Sequence, residues 1–276
     1  MSVIGNKKVG GFDVHFERYE SALEVVENCR ERTITNSSFN NMQTESITKW
    51  NGVSSYEEAL EYMRTGYQPT VDSMKNVFKG NLKGTGSRFT FKNDVQGFAP
   101  VVPLALKGVP NSMVAMTMKP IKTKVVDIYY DMTTGARTSS DKIMDAGRML
   151  LSTVIELERQ GYRFNLYIIQ GYSGADDCDM LVVKVKNAAQ PLDLKRVSFP
   201  LTHTAFFRVI GFDWYSKFPG AKYRLGYGQA LSYRTGRSKM KKMIKELFGE
   251  NAISFSAVDI IGNGKDYIKA EVESKR

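Results

Sequence analysis

The sequence predicts an α/β protein with a mixed, mostly parallel sheet that carries one antiparallel hairpin and has helices on both faces. Three observations carry that expectation. KVVDIYYD (Lys124 to Asp131) is a β-branched and aromatic run of the kind found in strands covered on both sides. Ile143, Ala146, Gly147, Leu150, Val154 and Leu157 then repeat at helical spacing. Two further apolar runs, Phe164 to Ile169 and Met180 to Val185, follow with too few residues between them for a helical crossover. The first two strands, joined through a helix, are therefore expected to be parallel and right-handed, and the last two antiparallel.

The other elements follow in order. GGFDVHF reads as a short strand and Tyr19 to Arg32 as a helix, and TITNSSFNNMQTES then reads as an exposed loop. Ser54 or Ser55 caps a helix whose Tyr56, Ala59, Leu60 and Met63 share one face, and Gly66 stops it. A second helix spans Val71 to Phe78. These elements predict a helical N-terminal subdomain over 1–97, followed by an α/β core domain over 98–276. Pro100, Pro103 and Pro110 argue against regular structure in Phe98 to Met118, so this apolar segment is expected to lie extended against the core. Ser139 or Ser140 caps the long helix, which ends at Gly161. Beyond the hairpin, helices are expected at Leu192 to Phe199, Ala205 to Phe212 and from Ser238 to Gly249. A long irregular excursion is expected from Trp214 to Arg237, a last strand over Ile253 to Ile261, and a charged tail from Gly264.

Composition narrows the function classes. With 276 residues, 42% hydrophobic and 25% charged, the chain is long enough to bury a large core. No signal peptide and no membrane span is expected, because MSVIGNKKVGGFDVHFERYE lacks an apolar core and no apolar run is long enough. The predicted location is the cytoplasm, with the virion as an alternative. Cys29 and Cys178 lie outside any CxxC or CxxxH spacing, which argues against a cysteine zinc site.

The formal net charge of +10 is concentrated. Between Lys195 and Lys245 twelve Lys and Arg face one acid, Asp213, while the remaining 27 basic and 28 acidic residues nearly cancel. A concentrated basic region points to a polyanionic partner, either nucleic acid or an acidic protein surface. Tyrosines interleave with the basic residues, as suits exposed bases on a phosphate backbone. The candidate nucleic-acid contacts are Lys217, Lys222, Tyr223, Arg224, Tyr227, Tyr233, Arg234, Arg237 and Lys239. The same tyrosines also suit a core edge, and the lysines from Lys239 to Lys245 suit the solvated face of an amphipathic helix.

Other chemistry is sparse. Asp131 with Thr133 and Ser139 offers oxygen ligands for Mg2+ at a strand's carboxyl end, where open α/β sheets bind ligands. The same residues also serve a turn and a helix cap. Asp176, Asp177 and Asp179 form an acidic turn, and His203, near Arg196 and Arg208, is a phosphate-facing candidate or a structural histidine. No catalytic residue is identified and no cofactor other than Mg2+ comes into view.

The blocks WNGVSSYEEALEYMRTGY, FAPVVPLALKGVPNSM, DAGRMLLSTVIELERQGYRFNLYII and QPLDLKRVSFPLTHTAFFRVIGF resemble a family of uncharacterised proteins of tailed phages and related mobile elements, over about residues 50 to 230. That resemblance implies a phage context and no catalytic residue. The order of strand, Asp-containing loop, long helix and antiparallel hairpin is also similar to von Willebrand factor A type domains. Their DxSxS metal motif corresponds here to Asp131, Met132, Thr133, Thr134 and Gly135, which keeps the Asp and one hydroxyl and loses the last. The expected function is a non-enzymatic phage or mobile-element protein that binds nucleic acid through 195–245. The alternatives are a virion or assembly component docking on an acidic partner, and a metal-dependent enzyme or adhesion domain at Asp131.

Overall fold

The computed structural model describes residues 3–35, 50–78, 87–120, 124–135, 137–174, 176–219, 231 and 235–274. The chain opens with a hairpin, β1 (Val3–Val9) and β2 (Phe12–Tyr19). Gly10 (φ +59°) and Gly11 (φ +90°) form its two-residue turn, which needs positive φ at both positions. α1 (Ala22–Glu31) follows, with the Ser21 hydroxyl accepting from Glu24 N. α2 (Tyr56–Thr65) is capped in the same way, Glu58 N donating to Ser55 Oγ over 3.1 Å, and α3 (Gln68–Phe78) completes a helical pair.

β3 (Ser87–Asp94), β4 (Ala99–Pro100), α4 (Val102–Leu106) and β5 (Met113–Pro120) then build a separate three-stranded sheet in the order β3-β5-β4. Here the expectation of an extended segment packed on the core is corrected. Pro103 sits in the first turn of α4, where its missing N–H does no harm. Phe91, Phe98, Val102, Leu106 and Met116 are more than half exposed and line an arm outside the core.

The scaffold is β6 (Lys124–Asp131), α5 (Ser140–Arg159), β7 (Tyr162–Ser173) and β8 (Asp177–Lys186). β6 and β7 are parallel and β8 returns antiparallel to β7, as the spacing predicts. α6 (Leu194–Thr202), a π-helical turn (Phe206–Ile210), α7 (Gly211–Lys217), α8 (Arg237–Phe248), β9 (Ala252–Ser256) and α9 (Ala257–Glu273) complete the order. Two expectations are corrected at this end. Trp214 to Lys217 are helical, and the chain from Ala257 is helix kinked at Gly264 (φ +72°), where a strand running to Ile261 and a charged tail were expected. The Ser256–Asp259 capping box turns the chain from strand to helix: Asp259 N donates to Ser256 Oγ and Ser256 N donates to Asp259 Oδ2.

The main sheet runs β1-β2-β8-β7-β6-β9. β2 lies parallel to β8 and β9 parallel to β6. The boundary expected at residue 97 therefore does not separate two cores. β1 and β2 belong to the main sheet, and Val26, Ala59, Leu60 and Met63 share one buried cluster with α5, α6 and α9. The pleat sends Val126, Ile128 and Tyr130 to that face and Tyr129 to the other. On the second face α8 lays down Met240, Met243 and Ile244, and Tyr129 stacks on Tyr167 and Phe248 with centroids 4.6 Å apart. Among the described residues no helix is long and apolar enough to cross a membrane.

α5 and α6 cross at Gly147, where a Cβ would overlap the Leu201 carbonyl oxygen. Both partners are buried backbone with no room to yield. Gly147→Ala is expected to lower stability by at least about 2 kcal/mol through overpacking, read as a lower urea midpoint with an unchanged slope.

Candidate functional site

β7 and β8 extend the sheet on one side of β6 and β9 on the other, so the carboxyl ends of β6 and β9 mark the point where open α/β sheets place ligands. Asp131 and Ser256 stand opposite each other there. Asp131 is fully buried. Its Oδ1 accepts from Thr133 N (3.0 Å) and Thr133 Oγ1 (2.5 Å), and its Oδ2 from Leu231 N (2.9 Å). Burial pushes its carboxyl up to about 6 despite those donors, and the Asp259 charge adds to the rise. Asp259 is buried as well and is held at Oδ1 by Arg237 Nε over 2.5 Å. This ion pair ties the start of α8 to the first turn of α9.

Of the three candidate metal ligands, Asp131 and Thr133 bond to each other, while Ser139 lies exposed at the cap of α5 without a side-chain cap bond. A cation at Asp131 would compete with the Thr133 and Leu231 donors. Among the described residues no three His, Cys, Asp or Glu side chains gather as a metal-holding group. The acidic turn does not converge either. Asp176 is exposed, whereas Asp179 is buried within 3.2 Å of both His15 Nδ1 and Tyr215 Oη.

Above Asp131 the chain is braced from the π-helical turn. Arg208 Nη2 donates to the Thr134 carbonyl (3.1 Å), and its guanidinium lies 4.7 Å from the Trp50 ring centroid. The widened turn leaves the Phe207 carbonyl to accept from Gln170 Nε2 at 3.0 Å. His203 does not face phosphate. It is buried against Tyr62, Tyr67 and Phe199, its Nδ1 accepts from Ala205 N at 3.2 Å, and burial pushes its pKa down to about 4. Cys29 is buried and pushed up to about 12, so it is no nucleophile.

The basic segment divides by what its charges touch. Lys222, Tyr223, Arg224, Tyr227, Tyr233 and Arg234 lie outside the described residues. Lys217 is mostly covered and pairs with Asp213 at 2.8 Å, and Arg237 holds Asp259, so both serve the fold. Lys241 pairs with Glu271 at 2.5 Å. Lys239 and Lys242 project from the outer face of α8, with Lys242 loosely paired to Glu246 at 3.7 Å.

β1 brings a cation that sequence reasoning passed over. Lys7 Nζ donates to the Glu246 carbonyl over 2.5 Å, which sets Lys7 alongside α8. The signal was present in VIGNKKVGGFDVHF, two strand-like runs on either side of Gly10 and Gly11. Lys239, Lys242, Val9, Gly10, Phe12, Thr235 and Met243 line a hollow of about 150 Å3 between the hairpin turn and α8.

No curated protein and no solved structure matches the chain. A family model described as "Domain of unknown function (DUF7192)" matches residues 6–260, nearly the whole of the sheet and its helices, and the chain belongs to that family.

Proposed function

We propose that this is a non-enzymatic phage or mobile-element protein that binds nucleic acid, or a polyanion like it, on the face formed by α8 and the β1–β2 hairpin. One observation carries the reading. Lys7 comes from the far end of the chain to stand beside the helix that presents Lys239 and Lys242, so the basic surface is wider than the amphipathic pattern of α8 requires. Lysines set along a groove edge neutralise successive phosphates and release their counterions.

The test is a fluorescence-anisotropy titration with labelled single-stranded DNA and RNA at low salt. Lys239→Gln with Lys242→Gln is expected to weaken binding about tenfold and to lower the salt slope by about 2, one per lost phosphate contact. Undetectable binding of either nucleic acid by the wild-type chain sinks the proposal. Arg237 is a poor probe, because Arg237→Gln strands the buried Asp259 carboxylate and tests folding instead.

A second reading, an assembly component, is favoured by the arm over residues 87–120. Phe91 and Phe98 pack edge to face at 6.1 Å and, with Met116, present an apolar surface to solvent. A three-stranded sheet with a solvated apolar face usually meets a partner. Co-purification with particles, lost on Phe91→Ser with Phe98→Ser, is the result that would favour it.

A further inference from the structure

The hollow beside α8 has a composition that a phosphate-binding surface alone does not need. Its floor is apolar: Val9 is 2% and Met243 3% exposed, and Phe12 packs beside them. Thr235 Oγ1 donates to the Leu231 carbonyl at 2.8 Å, so the hydroxyl's proton is already committed inside the fold. Among the described residues no carboxylate lines the space, and the charges on its rim are the ammonium groups of Lys239 and Lys242. At Gly10 and Gly11 the wall carries no side chain, and a Cβ there would meet nothing within 4 Å among the described residues.

Size narrows the ligand. A hollow of about 150 Å3 has room for a small ligand such as a single flat ring. Pockets for drug-sized ligands begin at roughly 300 Å3. A ligand matched to an apolar floor and a cationic rim has a flat, weakly polar body with negative charge next to it. A nucleobase with its backbone phosphates has that form.

We propose that this hollow takes one unstacked base of a single-stranded nucleic acid, with Phe12, Val9 and Met243 against the ring and Lys239 and Lys242 on the flanking phosphates. The inference rests on the polyanion reading above and goes beyond it, since a duplex hides its bases and a simple polyanion has none. Among the described residues the lining holds no side-chain carboxylate, amide or guanidinium to read a base edge, so the contacts these residues make are tolerant of sequence.

The experiment competes a labelled single strand off the wild-type protein with unlabelled single strand, with duplex of equal length and with inorganic polyphosphate. The single strand is expected to compete at about tenfold lower phosphate concentration than either of the others, the scale of one base stacked on an aromatic ring. Equal competition by polyphosphate or duplex overturns the base site while leaving the polyanion reading intact, and failure of all three to bind overturns both.

Phe12→Ala is expected to reduce the preference for single strand over polyphosphate about tenfold. Phe12 also packs on the core, so a second measurement uses the wild-type chain. A strand carrying bromouridine, photo-crosslinked and mapped by mass spectrometry, is expected to mark residues 9–12 or 239–243. Crosslinks confined to other segments overturn the proposal.

Discussion

Arg32→Ala is expected to destabilise the protein by about 3–5 kcal/mol, the cost of leaving a buried charge without its partner. The charge is Glu17, fully buried on β2. Arg32 grips it as a fork, Nη1 to Oε2 at 3.0 Å and Nη2 to Oε1 at 2.9 Å. Tyr19 Oη (2.6 Å) and Trp214 Nε1 (2.8 Å) also donate to Oε2. Four donors thus hold one carboxylate between the N-terminal hairpin, the residue after α1, and α7. Guanidinium unfolding of the variant measures the loss. The double variant Arg32→Met with Glu17→Met is expected to recover part of it, because an apolar pair leaves no buried charge although the buried Trp214 Nε1 loses its Glu17 acceptor. If Arg32→Ala costs less than about 1 kcal/mol, the network is not what joins these elements.

The second large effect is a pair of opposed pH dependences. His203 has a folded pKa of about 4 against 6.5 for the free side chain. Its contribution is fully present above pH 6.5 and is lost as pH falls through 4, because the protonated ring must be desolvated among Tyr62, Tyr67 and Phe199 and its Nδ1 can no longer accept from Ala205 N. Asp131 runs the other way. Its pKa is about 6 against 3.8, so its contribution is fully present below pH 3.8 and is lost as pH rises through 6.

Each is worth about 3 kcal/mol across its window, and between pH 4 and 6 they largely cancel. His203→Asn, whose Oδ1 replaces the Nδ1 acceptor, is expected to gain stability relative to wild type as pH falls towards 4. Asp131→Asn is expected to lose it over the same range. Thermal unfolding near neutrality and near pH 4 checks both, and parallel pH profiles for the two variants and the wild type would refute the assignment.

The central unit was legible because its signals are local. A β-branched strand, a helix with one apolar stripe and two strands with a short connection leave little choice of arrangement. The same reading failed at the Pro-rich block, where proline marks where regular structure stops but not whether the segment lies on the core or away from it. It failed again at Gly264, which read as the start of a charged tail and is a kink inside α9. The N-terminal segment read as a separate helical unit because its helices are locally clear, whereas the pairing of β2 with β8 is a contact over more than 160 residues that no periodicity reports.

The candidate sites show the same division. Residue types alone marked Asp131 and Thr133, and they do meet, but Ser139 is set apart by the start of α5. Charge counting marked a basic segment without telling an ammonium engaged by a carboxylate, as at Lys217, from one facing solvent, as at Lys239. By itself the sequence determined the fold class, the parallel and antiparallel strand order of the central unit and the concentration of positive charge, since each follows from neighbours along the chain. Only the tertiary structure decided that one sheet unites both ends of the protein, that Asp131 and Asp259 are buried among donors, that Lys7 bonds to α8 at Glu246, and that Lys239 and Lys242 share one hollow with the hairpin turn. Those are contacts between residues far apart in sequence, set by packing free energy summed over the whole core.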